Sequence, residues 1–135
     1  MATDLRAVAS ALVRRLRAES AGQTLSMSQG AVLALLHKSG RSTVADLARL
    51  ERVTPQSMGA TIASLEGEDL VARTVDPDDA RRWNASLTES GKRVFLEGRA
   101  ARQAWLSGAI EERLDDGEQC RLAEAIALLR KVLGE

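Results

Sequence analysis

The side chains best placed to do chemistry lie between Thr54 and Leu87. Gln56, Ser57 and Ser64 share one side of a helical stretch with Ala60 and Ala63, a face with no acid and no long aliphatic. An exposed helix usually carries Lys and Glu there, so this small polar face suits close approach to another surface. A glutamine amide can hold an adenine edge at two points, and a serine can meet either a base or a phosphate. Arg81 and Arg82 follow in a polar loop beside Asp76, Asp78 and Asp79. They could pair with those acids, and the expectation is that one is held by an acid while the other reaches out, in or beside a minor groove. Arg49 and Arg52 are further candidates for phosphate contact. Thr43 and Thr54 read first as helix caps, and backbone N–H groups at positive helix ends can also donate to phosphate.

Other chemistries find little support. With His37 as the only histidine, no His-based metal cluster or Ser-His-Asp triad can form within one chain. No glycine-rich phosphate loop follows a strand, and no nucleophile, base and orienting group come together. The chain reads as neither an enzyme nor a metal or cofactor protein. Cys120 is the single cysteine, so there is no internal disulfide, and a reducing, cytoplasmic setting is expected. Arg121 and a helix start could lower its pKa, but an inert thiol is the simpler reading. No apolar run is long enough to span a membrane, and the N-terminus lacks a signal peptide's apolar centre.

A chain of 135 residues, 44% hydrophobic and with two prolines, fits one folded, mainly helical domain. The net charge is zero. Between Lys38 and Trp83, seven basic residues stand against eight acids, so any affinity for a polyanion must come from where the charges sit.

The elements that position these residues follow from spacing. Leu5, Val8, Leu12 and Leu16 form the stripe of a first helix over about 4–21, ending near Gly22. Ser26 and Gln29 have capping-box spacing ahead of a second, nearly all-apolar helix that stops at Gly40. Thr43 with Asp46 caps a short helix whose Val44, Leu47 and Leu50 are expected inward, and Arg52-Val53 is the turn out of it. Thr54-Pro55 opens the next helix with two start signals, and Met58, Ile62 and Leu65 mark its core stripe. Two short helices joined by a tight turn make a helix-turn-helix. The period then changes to strands at Leu70–Val75 and Trp83–Leu87 around a polar tip, which predicts a two-stranded wing with Trp83 covering its base. Thr88 caps a long helix to about Arg113. Its Gly91, Gly98 and Gly108 recur on one stripe with Trp105, and close approach of another helix is expected there. Asp115 and Glu118 cap a last helix, with Leu122, Ile126, Leu129 and Leu133 on one side.

Thr54-Pro-Gln-Ser57, Leu65-Glu66, Leu70-Val71, Arg73, Asp76-Pro77, Asp79-Ala-Arg81, Leu87-Thr88 and Gly91 together resemble the winged helix-turn-helix of MarR-type regulators. The Asp-Pro-x-Asp-x-Arg wing with Leu-Thr-x-x-Gly is the specific part of the match. The resemblance covers the whole chain, 1–135. It implies a winged helix-turn-helix over 26–88 and dimerisation helices at 4–21 and 89–134. It also implies a homodimer on double-stranded DNA, a pseudo-palindromic operator, and a repressor that a small-molecule effector releases. Taken with the readings above, the candidate DNA-binding residues are Thr43, Arg49, Arg52, Thr54, Gln56, Ser57, Ala60, Ser64, Arg81 and Arg82. Peroxide-sensing relatives carry their reactive cysteine near the N-terminus, where this chain has none. The chain departs from the family at Ala60 and Ser64, where a basic residue is frequent, at Asp69, where glycine is usual, and at Asp78, where arginine is common. Those departures keep a second reading open: a helical dimerisation or protein-interaction module that binds DNA weakly.

Overall fold

The computed structural model describes residues 1–20 and 25–135. Its elements run α1 (Ala2–Ala18), α2 (Met27–Ser39), β1 (Arg41–Thr43), α3 (Val44–Glu51), α4 (Pro55–Gly67), β2 (Val71–Val75), β3 (Trp83–Leu87), α5 (Glu89–Arg113) and α6 (Asp116–Leu133). The chain divides into two compact units, one over Ser20–Arg99 and one from Met1–Glu19 with Ala100–Glu135.

The unit over Ser20–Arg99 is built on one core. Val32, Leu33 and Leu36 of α2, Leu47 and Ala48 of α3, and Met58, Ile62 and Leu65 of α4 are buried together with Leu70, Val71 and Ala85. The predicted stripe of α4 is therefore its core face. The caps form as spacing implies. Ser26 and Gln29 close a capping box on α2, Thr43 accepts from the Asp46 N–H, and Thr54 accepts from the Ser57 N–H with Pro55 in the first turn. Arg52 leaves α3 in the left-handed conformation at φ 55°. Asp69 takes the same conformation at φ 58°, one that a short polar side chain tolerates better than most.

Three expectations need correction here. Arg41–Thr43 forms a third strand, so the sheet has the antiparallel order β1-β3-β2, not two strands. Three residues are too few to show a period, and their partner is some forty residues away. Because β3 is then the central strand, Asn84 is buried, while Trp83 is 49% exposed. Trp83 pairs with Val75 next to the tip rather than covering the wing's base, which lies at Val71 and Leu87. Leu50 is 56% exposed: Leu47 and Ala48 centre the buried arc of α3, and Leu50 lies about 110° round from it at 100° per residue.

Helix α5 starts on the end of β2's approach. The Thr88 hydroxyl accepts from the Gly91 N–H at 2.9 Å and donates to the Asp69 carbonyl at 2.6 Å, and the Thr88 N–H donates to the Leu70 carbonyl at 3.1 Å. A Cβ on Gly91 would overlap the Leu70 carbonyl oxygen. The close neighbour that requires glycine is thus a carbonyl before β2, not a helix. Gly98 is also buried, whereas a Cβ on Gly108 would meet open space, so the stripe has no single cause.

In the second unit, α1 ends at Ala18, with Glu19 as its C-cap. That is short of the expected Ala21 and Gly22, which lie outside the described residues. Asp115 and Glu118 form the capping box of α6. The Arg15 guanidinium lies 5.1 Å from the Trp105 ring centroid and pairs with Glu19 at 2.6 Å. Neither α1 nor α6 buries a residue. Leu5, Val8, Leu12 and Val13 on one, and Ile126, Leu128, Leu129, Val132 and Leu133 on the other, are exposed.

Candidate nucleic-acid interface

The outer face of α4 is open. Gln56, Ser57, Ala60, Ala63 and Ser64 are all exposed, opposite the buried Met58, Ile62 and Leu65. Gln56 and Ser57 sit in the first turn, where uncompensated N–H groups give a helix its positive end. Thr54 is committed as the cap, its oxygen 3.1 Å from the Ser57 N–H, and Thr43 caps α3 in the same way. Both threonines act on the site through backbone geometry first. Thr61 donates back to the Ser57 carbonyl at 3.2 Å. Ser64 is exposed too, but its oxygen accepts from Gln29 Nε2 at 3.0 Å, which ties it to α2.

The wing tip explains the spacing of its acids. The Asp76 carboxylate accepts from the Asp78 N–H at 2.8 Å, and that of Asp79 accepts from the Arg81 N–H at 3.0 Å. The Asp76 N–H donates to the Arg82 carbonyl, and the Arg82 N–H to the Asp79 carbonyl, both at 2.9 Å. Two of the three acids therefore fold the loop, as short acidic side chains do in turns. Arg82 is 3.6 Å from Asp79, whereas the Arg81 side chain forms no ion pair among the described residues. This is the expected division, with Arg82 the held residue and Arg81 the open one.

The remaining arginines fall into two kinds. Arg49 is hydrogen-bonded to Asp46 at 3.1 Å on the exposed surface. That bond, then the one from Thr43, holds the Asp46 carboxyl below the ordinary aspartate range. Arg52 is exposed at the turn into α4. Arg73, quoted above only as part of the family pattern, places Nε 2.8 Å from Glu66 Oε2, joining β2 to the back of α4. Its buried Nε makes no hydrogen bond; the contact is close enough for charge attraction, but the N–H is not aimed at the carboxylate. A cleft of about 340 Å³ opens between the start of α3 and the wing, lined by Thr43, Val44, Ala45, Asp46, Arg73, Arg81, Arg82 and Trp83. The unit thus brings the α4 face, the α3 start and the wing arginines into one fold. The role of Gln29 beyond its cap was not visible in spacing, since its partners lie 35 and 39 residues away.

Known proteins share this fold. The model of the MarR family matches residues 25–83. An HTH-type transcriptional regulator of Mycobacterium bovis, Mb0904, is 35% identical over 135 residues, covering all of this chain and 94% of its own. A crystal structure of a transcriptional regulator protein from Pseudomonas aeruginosa is 32% identical, with a TM-score of 0.88 over 99% of this chain and 94% of that one. A mutant of Escherichia coli MarR complexed with operator DNA shares the fold, with a TM-score of 0.76 and 20% identity over 98% of this chain and 92% of that one. With the family model matched across the helix-turn-helix and a relative 35% identical over all 135 residues, the chain belongs to the MarR family.

Proposed function

We propose that the protein is a DNA-binding transcription regulator, acting as a homodimer on a pseudo-palindromic duplex site and working as a repressor that a small ligand releases. The observation that carries this reading is the pairing of an exposed, small polar α4 face with a wing in which Asp76 and Asp79 are spent on folding the tip. Gln56 and Ser57 are offered at a positive helix end, and Arg81 of the wing forms no ion pair among the described residues. Such an arrangement suits base contact from the helix and phosphate or minor-groove contact from the wing. The E. coli relative bound to operator DNA supports the use of this fold on duplexes, and the cytoplasm is then the place of action. No helix among the described residues is long and apolar enough to cross a membrane.

The homodimer is supported by the exposed apolar side chains along α1 and α6, the kind of surface that marks interaction sites where it is clustered. Repression is supported by the name of a 34% identical relative, the transcriptional repressor MdtR of Bacillus subtilis. The competing reading, a dimerisation or protein-interaction module, draws on Ala60 and on the eight acids against seven basic residues between Lys38 and Trp83. Selection of bound sites from a random duplex library, repeated with aromatic acids present, decides between them. Enrichment of a two-fold sequence with half-sites about one helical turn apart is the expected result. Recovery of unenriched sequence would favour the module, and sites unaffected by any acid would remove those ligands as effectors.

A further inference from the structure

Gln29 is 8% exposed and reaches three groups at once. Its Oε1 accepts from the Ser26 N–H at 2.8 Å, and its Nε2 donates to Ser64 Oγ and to Glu68 Oε1, both at 3.0 Å. The orientation of the amide is forced by chemistry. A backbone N–H can only donate and an ionised carboxylate can only accept, so the oxygen must face Ser26 and the nitrogen must face Glu68. Ser64, on the nitrogen side, therefore serves as acceptor. Its hydroxyl hydrogen is taken by no group among the described residues, although helical serines and threonines can donate one turn back, as Thr61 does to Ser57.

We infer that Gln29 is a positioning residue that keeps the Ser64 hydroxyl hydrogen turned outward, offered to a hydrogen-bond acceptor on the bound duplex. Ser64 lies about 40° round α4 from Ala60, one turn further along, on the exposed side. An unconstrained serine meets donors and acceptors alike. Here the amide of Gln29 takes one of the two oxygen lone pairs, so the hydroxyl hydrogen is not turned inward to Gln29 and is left for an outward acceptor. A phosphate oxygen, or an acceptor in the major groove such as purine N7, guanine O6 or thymine O4, is taken. This assignment rests on the DNA-binding reading and gives one of the positions without a basic residue a role.

The test uses the full chain, a selected duplex and four proteins: wild type, Ser64→Ala, Gln29→Glu, and the exchange Gln29→Glu with Glu68→Gln. The single Gln29→Glu variant sets two carboxylates together and should melt lower. The exchange restores an amide–carboxylate pair at unchanged net charge and should recover the melting temperature. In the exchange, however, residue 29 can only accept, so the Ser64 hydroxyl turns inward to donate to it. The exchange should therefore bind about ten-fold more weakly than wild type, matching Ser64→Ala, and adding Ser64→Ala to it should cost little more. Loss spread evenly over all duplexes would identify a phosphate oxygen as the acceptor, and loss of preference at one base pair per half-site would identify a base. Wild-type affinity in the exchange, or in Ser64→Ala, would overturn the inference. A wild type that binds no duplex would overturn the DNA-binding reading, and this inference with it.

Discussion

At the scale of single residues, the wing divides its arginines by what the turn consumes. Asp79 accepts from the Arg81 N–H and faces the Arg82 guanidinium, so one carboxylate shapes the loop and holds one cation while leaving the other outside. Arg81→Ala should weaken binding to every duplex and flatten the log–log salt slope by about one unit, as loss of one phosphate contact does. Arg82→Ala should do less, and equal effects of the two would contradict the division. Gln56 makes the complementary case. An amide paired with adenine is worth roughly 1–3 kcal/mol of discrimination. Gln56→Ala should lose that preference at one base pair per half-site with the salt slope unchanged. Sequence selection with the variant checks this, and an unaltered preferred site would make Gln56 a solvated residue. Asp46 adds a pH dependence of its own. Its folded-state pKa is depressed, first by the hydrogen bond from Arg49 and then by that from Thr43. Its contribution is therefore complete above the unfolded-state value and is lost as pH falls through the folded one. Arg49→Ala should move the Asp46 titration upward when its carboxyl resonance is followed by NMR.

At the scale of elements, local signals were legible and distant partners were not. The caps at Ser26, Thr43, Thr54, Thr88 and Asp115, and the α4 stripe of Met58, Ile62 and Leu65, are short-range features, and each was readable from neighbours three or four residues apart. The third strand was not, because Arg41–Thr43 pairs with residues 84–86 and three residues carry no period. The exposure of Trp83 and burial of Asn84 follow from that missing strand, since a central strand obeys both its neighbours. At the site, the exposure of Gln56 and Ser57 was readable from helix phase, whereas which of Arg81 and Arg82 an acid holds was not. The engagement of Ser64 by Gln29 was hidden by a separation of 35 residues. Gly91 tests the most demanding of these contacts. Gly91→Ala would drive a methyl group into the Leu70 carbonyl oxygen, and the shift needed should cost about 1–3 kcal/mol or more. Chemical denaturation would register it as a lowered midpoint. Gly108→Ala, where there is open space, should instead gain stability, since alanine is the better helix former.

At the scale of the whole molecule, the proposal needs two copies and a polyanion. The exposed Leu5, Val8, Leu12 and Val13 of α1, and Ile126, Leu129 and Val132 of α6, are expected to be covered by a second chain. Sedimentation at micromolar concentration should give about 29 kDa, twice the 14.5 kDa of one chain, with Cys120→Ser unchanged. Ile126→Asp with Leu129→Asp should shift the population to single chains and weaken binding to a two-fold site far more than to a half-site. The charge balance makes duplex binding the central claim, because a segment with seven basic residues against eight acids can bind DNA only through where its cations stand. Titrating the wild type with its selected duplex across a range of salt tests this most directly. The predicted result is affinity that falls linearly on a log–log plot, with a slope that becomes shallower when Arg81 is removed. A flat salt dependence, or a slope the same with and without Arg81, would contradict it.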